Sequence, residues 1–392
     1  MTPPRANPID SALREATASR EVPGVVAMAV TDRGVLYEGA FGTRDLDGGL
    51  AMTPDTLFRI ASMTKAVTSV AAMQLIERGL LALDDPVPDI DPALSAPQVL
   101  EGFDAAGVPR LRPARRPITL RHLLTHTAGF GYEIWSPDLV RFVAVTGTPP
   151  HATGKIAALR VPLAFDPGAR WQYGINLDWV GLIIERVSGR PLGRYLQEHV
   201  FGPLGMADTG FAPSPEQRDR MARVHRREPD GSLTPQPPAP PFVPEFYSGG
   251  GDLVSTGPDY LAFVAMLLQE GSRDGVRILR PETVALMRHN QIGDLDAGVL
   301  ATAVPALSND VDFFPGHRLR WGLGTMINLE AGPNGRSAGT LSWAGLYNSY
   351  YWIDPARRVA GLIMTQILPF ADRRAVGVYG RFERGVYELL AS

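Results

Sequence analysis

Ile60-Ala61-Ser62-Met63-Thr64-Lys65-Ala66-Val67 sets a serine and a lysine three positions apart. The run that follows, Thr68-Ser69-Val70-Ala71-Ala72-Met73-Gln74-Leu75-Ile76, is rich in apolar residues and free of Gly and Pro, and predicts a buried helix. Residues i and i+3 of a helix share one face, a turn apart. Ser62 and Lys65 are therefore expected to point the same way at the N-terminal end of that helix, where backbone N–H groups lack partners and the helix dipole is positive. A serine hydroxyl becomes a good nucleophile when a neighbour takes its proton. Lysine can do so only when neutral, and burial together with a positive helix end disfavours its ammonium form.

Outside this stretch the chain avoids lysine. Lys65 and Lys155 are its two lysines among 38 basic residues, the other 36 being arginine. Arginine keeps its proton in proteins, whereas a desolvated lysine can lose it. Lysine at position 65 is thus the cation type that base chemistry requires.

Composition narrows the function classes. The 392 residues, 45% hydrophobic and 20% charged, can bury a large core. A net charge of −3 gives no reason to expect nucleic-acid binding. No stretch approaches a membrane-spanning length of apolar residues, and Met1-Thr2-Pro3-Pro4-Arg5-Ala6-Asn7-Pro8 has no apolar core of a secretory signal, so a cytoplasmic location without membrane attachment is expected. The absence of cysteine excludes disulfides, thiol nucleophiles and thiolate metal sites. No cofactor or metal is expected.

Working outward, residues 11–20 predict a helix, and Val25–Val30 and Val35–Phe41 a hairpin around Thr31-Asp32-Arg33-Gly34. Residues 96–117, polar and rich in Pro and Arg, predict an exposed stretch. Thr119–Gly129 predicts a short helix ending in glycine, with His122 and His126 anchoring backbone near the site. Gly131-Tyr132-Glu133-Ile134-Trp135 offers two aromatics on a loop. Val180–Ser188 predicts a buried helix stopped by Gly189, Thr234–Pro244 an extended Pro-rich loop, and 258–270 another helix. Ser248-Gly249-Gly250-Gly251-Asp252 permits close backbone approach and lacks a phosphate-loop Gly-Lys-Ser/Thr. Three strands follow at 340–344, 349–353 and 359–364, then an amphipathic C-terminal helix. No Gly-x-Ser-x-Gly nucleophile elbow is present.

The ordered set Ser62-Met63-Thr64-Lys65, Tyr173-Gly174-Ile175-Asn176 and Trp343-Ala344-Gly345 resembles the serine hydrolases built like class C β-lactamases and DD-peptidases, most closely the family VIII carboxylesterases. Thr56-Leu57-Phe58-Arg59, Phe165-Asp166-Pro167-Gly168 and Trp321-Gly322-Leu323-Gly324 add to the resemblance, which covers about residues 10 to 390. It implies an α/β (α+β type) fold: an antiparallel sheet flanked by helices, from about residues 1–77 and 248–392, with a mainly helical domain, 78–247, inserted. It implies Ser62 as acylated nucleophile, Lys65 as its proton partner, Tyr173 as general base and proton donor to the leaving group, and backbone N–H groups of Ser62 and Leu346 as oxyanion hole. Tyr132, Trp135, Asn176, Phe246, Trp343 and Gly345 are the candidate substrate-binding residues, and Asp178 a candidate backbone anchor.

Two departures from the β-lactamase pattern bear on substrate. Trp343 replaces the lysine of Lys-Thr-Gly, which helps hold a substrate carboxylate, and Ile175 occupies the position of an asparagine that contacts the substrate amide. Both point towards hydrolysis of small, neutral, short-acyl esters. The alternatives are a β-lactamase or peptidase, an acyltransferase, or a non-catalytic binding protein on the same fold. A neutral-lysine mechanism makes one firm demand. Lys65→Arg is expected to lower kcat/KM for a short p-nitrophenyl ester about as far as Lys65→Ala, by about 10²–10⁴-fold, and retained turnover in the arginine variant would remove the lysine argument.

Overall fold

A computed structural model describes residues 7–238 and 243–391. The first six residues, and part of the Pro-rich 234–244 stretch, lie outside the described residues. The hairpin appears as β1 (Gly24–Thr31) and β2 (Gly34–Gly42), preceded by helix α1 (Pro8–Ala18) with Asn7 as its N-cap. All eight residues of β1 are buried. That burial explains a sequence, Val25-Val26-Ala27-Met28-Ala29-Val30, that is apolar at every position rather than alternating: a strand covered on both faces has no polar side.

The chain returns to this hairpin only at its far end. β3 (Leu319–Trp321), β4 (Met326–Asn328), β5 (Leu341–Gly345), β6 (Ser349–Asp354) and β7 (Val359–Met364) complete a seven-stranded antiparallel sheet in the order β3-β4-β5-β6-β7-β1-β2. β1 and β7 pair in register from Val26 opposite Met364 to Thr31 opposite Val359. Helices cover both faces. On β6, Tyr351 meets Tyr260 of the helix Gly257–Leu268, with ring centroids 5.5 Å apart. Its neighbour Trp352 points the other way, onto Phe382 of the C-terminal helix Arg373–Ala391 at 5.6 Å. The C-terminal helix packs in turn on α1.

In the sequence between the β1–β2 hairpin and the later strands comes the predicted buried helix, α2 (Thr64–Glu77), whose residues 64–75 are all buried. It packs against α3 (Asn176–Ser188), which ends on Gly189 in the left-handed conformation as expected. The mixed architecture, an antiparallel sheet with flanking helices and a largely helical middle segment, is the predicted fold class. Two local features were not read from the sequence. Within the exposed 96–117 stretch, residues 98–103 and 109–113 pair as a hairpin. The Asp104 carboxylate closes its turn by accepting the N–H groups of Ala106 and Val108, a local bond that outweighs the proline content. The helix at Thr119 is also shorter than read, Leu120–Leu124, because His126 takes a left-handed backbone, φ +58°.

No helix among the described residues is long and apolar enough to cross a membrane, and no group of three or more His, Cys, Asp or Glu among them is placed to hold a metal ion. One contact in the sheet is tight enough to test. A Cβ on Gly361 of β7 would come 2.3 Å from the Trp352 indole, so the ring lies across a bare backbone. Gly361→Ala is expected to cost about 1–3 kcal/mol of stability by overpacking, read as a lower denaturation midpoint with an unchanged m-value.

Candidate active site

Ser62 sits in a single 3₁₀ turn, Ala61–Met63, that feeds directly into α2, rather than within the α-helix itself. The turn is tightly held. Ala61 adopts φ +43°, a backbone angle rarely used by a residue with a Cβ, and such strain persists only where the surroundings enforce it. Gly345 at the end of β5 supplies part of that enforcement: a Cβ there would lie 2.4 Å from the Ile60 carbonyl oxygen. The strand end thus presses on the serine turn, and Leu346, the next residue, joins Ser62 in lining the cavity above.

One turn on, Lys65 is fully buried. Its Nζ is 3.1 Å from Ser62 Oγ, 3.1 Å from the Tyr132 hydroxyl and 2.7 Å from the Gly250 carbonyl oxygen. It also lies 4.7 Å from the centre of the Tyr173 ring. Burial lowers its pKa to about 7, against the opposing pull of the Asp178 carboxylate. The lysine is therefore poised between its two protonation states near neutral pH.

Tyr173 is buried and hydrogen-bonded with Ser62, and its oxygen accepts the indole N–H of Trp343 at 3.0 Å. Burial nevertheless pushes the phenol above its usual range, outweighing the opposing effects of those two bonds, so it holds its proton at neutral pH. His126 positions it. The His126 carbonyl accepts the Gln172 N–H at 2.9 Å, and its Nδ1 takes the Gly174 N–H at 3.3 Å. Burial, followed by the charge of Lys65, keeps that imidazole well below its ordinary pKa and hence neutral. His122 instead caps its own helix through the Thr119 N–H. Both histidines thus hold backbone, as expected.

Of the six predicted substrate-binding residues, Tyr132, Trp135 and Trp343 line the cavity. The other three do not. Asn176 opens α3, fully buried, with its side-chain amide 2.9 Å from His126 Nδ1. The extra residue Ile175 carries it into the helix and away from the cavity. Phe246 packs into the hydrophobic core. Gly345 serves the contact with Ile60 described above, and its neighbours Ala344 and Leu346 face the cavity in its place.

The cavity has a volume of about 560 Å³, with walls of Ile134, Val140, Val143, Leu300, Val304 and Phe370. Among the described residues that line it there is no lysine or arginine. Sequence reasoning missed a polar network beneath one wall. Asp178, fully buried on α3, accepts the Gly250 N–H at 3.0 Å and the Ser248 hydroxyl, and its second oxygen is 3.0 Å from His151 Nε2. The role of backbone anchor fits Asp178, but its partners are 70 residues and more away in sequence, or on a loop with no motif. A carboxylate in the first turn of the helix Asn176–Ser188, next to the apolar run Trp179–Ile184, was the available signal.

Comparison with known proteins agrees with this geometry. The Beta-lactamase family model matches residues 9–384. Monacolin J acid methylbutanoyltransferase of Aspergillus terreus is 37% identical over 397 residues, covering 97% of this chain and 95% of the relative. The unliganded structure of simvastatin synthase (LovD) from Aspergillus terreus superposes with a TM-score of 0.84 at 35% identity, covering 97% of this chain and 98% of the other. EstCE1, a hydrolase with promiscuous acyltransferase activity, superposes with a TM-score of 0.75 at 25% identity, covering 97% and 98%. The chain belongs to the beta-lactamase family and is a serine enzyme of the acyl-transfer type.

Proposed function

We propose that the protein is a carboxylesterase of the family VIII kind, hydrolysing neutral esters with small acyl groups through an acyl-enzyme on Ser62. The observation that carries this reading is Lys65 Nζ, buried and poised near neutral pH, 3.1 Å from Ser62 Oγ at the base of an apolar cavity.

When neutral, the Lys65 amine has two N–H donors and one lone pair. The Gly250 carbonyl and the Tyr132 oxygen take the donors, leaving the lone pair for the Ser62 proton. As Ser62 Oγ bonds to the ester carbonyl carbon, its proton passes to Lys65. The carbonyl oxygen becomes an oxyanion, for which the N–H groups of Ser62 and Leu346 are the proposed donors. Tyr173, still a phenol and in contact with Ser62, gives its proton to the departing alkoxide and recovers one from Lys65. Water then repeats the sequence in reverse, releasing the acid. In this scheme Tyr173 acts mainly as proton donor to the leaving group, and Lys65 as the base. The two exchange a proton and titrate as a coupled pair.

Substrate neutrality follows from the cavity. A β-lactam or peptide carboxylate entering it finds mainly apolar walls, no lysine or arginine among the described lining residues, and the carboxylates of Glu133 and Asp252; the histidine in the lining, His151, is already paired with Asp178. An unpaired charge moved from water into such walls is costly. Trp343 explains part of this: a neutral indole stands at this position, and its N–H is already committed to Tyr173.

A second reading, transfer of the acyl group to an alcohol instead of water, is favoured by the similarity to a methylbutanoyltransferase and by a cavity roomy enough for an apolar acceptor beside the acyl group. The chemistry at Ser62 is the same; only the hydroxyl that resolves the acyl-enzyme differs.

Two measurements test this. Ser62→Ala should abolish hydrolysis of p-nitrophenyl butyrate and the matching mass increase of the acylated protein, while the wild type turns over nitrocefin far more slowly than the ester; preferential nitrocefin turnover would overturn the ester assignment. Adding an apolar alcohol should leave p-nitrophenol release governed by Ser62 and divert product from acid to ester only if the second reading holds. In pH terms, Lys65 must lose its proton to act, so kcat/KM should rise with pH through about 7 and then level. A profile flat from pH 5 to 8 would rule out Lys65 as the base.

A further inference from the structure

In the cavity lining His151 pairs with Asp178, a contact that the reaction scheme leaves unused. His151 opens a short 3₁₀ turn, His151–Thr153, and faces the cavity. Its Nε2 lies 3.0 Å from Asp178 Oδ2. The other carboxylate oxygen of Asp178 accepts the Gly250 N–H at 3.0 Å, and the carbonyl oxygen of Gly250 accepts Lys65 Nζ at 2.7 Å. One residue, Gly250, is thus gripped by Asp178 at its N–H and by Lys65 at its carbonyl.

We propose that His151 is a positioning residue which, by pairing with Asp178, sets how readily Lys65 gives up its proton and hence the pH at which Ser62 is armed. The assignment rests on Lys65 being the base for Ser62. A buried carboxylate near a buried amine favours the ammonium form. Asp178 therefore works against burial and holds the proton on Lys65 more tightly than burial alone would. A cation on the far side of Asp178 offsets that field. Histidine is suited to this because it is charged when protonated, and otherwise still donates a hydrogen bond.

The surrounding charges are consistent with such an offset. Burial disfavours the charged form of His151, but the charge and hydrogen bond of Asp178, then the charges of Glu133 and Asp252, raise its pKa above the ordinary value. The Glu133 carboxylate also fixes the His151 backbone N–H at 3.1 Å. Burial opposes ionisation of Asp178, and His151, Lys65 and the Ser248 hydroxyl together overcome it, so the carboxylate is held below its usual range. Burial raises Asp252, with Arg59 and His151 among the charges that oppose this. Facing Lys65 itself are Tyr132 and Tyr173, both kept as phenols mainly by burial, and His126, kept neutral. Among these described groups, Asp178 is the anion that acts on Lys65, and His151 is the cation paired to it.

The test is the midpoint of the acid limb of kcat/KM for p-nitrophenyl butyrate, not the height of the plateau. His151→Gln removes the charge and should move the midpoint up by about one pH unit, an about tenfold loss at pH 6 relative to the wild type when each is scaled to its own plateau. His151→Lys restores a cation beside Asp178 and should return the midpoint towards the wild-type value. Asp178→Asn removes the anion and should move it down. If Asp178→Asn does not fold, the two His151 variants carry the test alone. A midpoint that stays put or falls in His151→Gln, with or without a lower plateau, overturns the inference, since a merely structural role or direct substrate contact changes the plateau and KM but not the midpoint. The absence of any acid limb near pH 7 in the wild type would instead overturn the role of Lys65 itself.

Discussion

Lys65 is an amine removed from water, and the active site is arranged around that fact. A buried ammonium is costly unless paired, so either a partner must hold the proton or the group must release it. Here both pressures act. Asp178 favours the charged form and burial favours the neutral one, and the outcome near pH 7 leaves the lysine able to cycle between them. A residue fixed in either state could not both accept the Ser62 proton and return it.

Burial on this scale needs a scaffold. The helix Thr64–Glu77 packs on the helix Asn176–Ser188 and on the helical segments Leu192–Leu196 and Gln197–Phe201 that follow it. The last residue of the strand Leu341–Gly345 presses on the serine turn, and the positive φ of Ala61 shows how far the backbone is bent to present Ser62. The chain ends meet in the sheet at β1 and β7, so the nucleophile turn and the Trp343 strand are held by one framework. Residues from distant parts of the chain, at 62, 132, 173 and 250, are thereby brought within a few ångströms of one amine.

Much of this was legible beforehand because it is local. The long run after Lys65, rich in apolar residues and free of Gly and Pro, read as a buried helix, and Val25–Val30 with Val35–Phe41 read as a hairpin around one turn. The ordered motifs at 62, 173 and 343 then implied a common site, and the structure brings those side chains together. What stayed hidden is non-local. The partners of Asp178 are His151, Ser248 and Gly250, and neither spacing nor residue type links them in the sequence. Asn176 failed as a pocket residue because one inserted residue turned it inward, a register effect that no composition reveals. The hairpin at 98–113 was missed because a single Asp104 side chain closes its turn against the proline signal.

The composition of the chain makes the central claim open to direct observation. With Lys65 and Lys155 its only lysines, and Lys155 exposed, a sample labelled with ¹³C at the lysine side chain gives one buried and one solvent-facing signal to follow by NMR. The account predicts that the signal lost in Lys65→Ala titrates near pH 7. A Lys65 signal that stays in its ammonium position up to the ordinary lysine range, about 10, would contradict it.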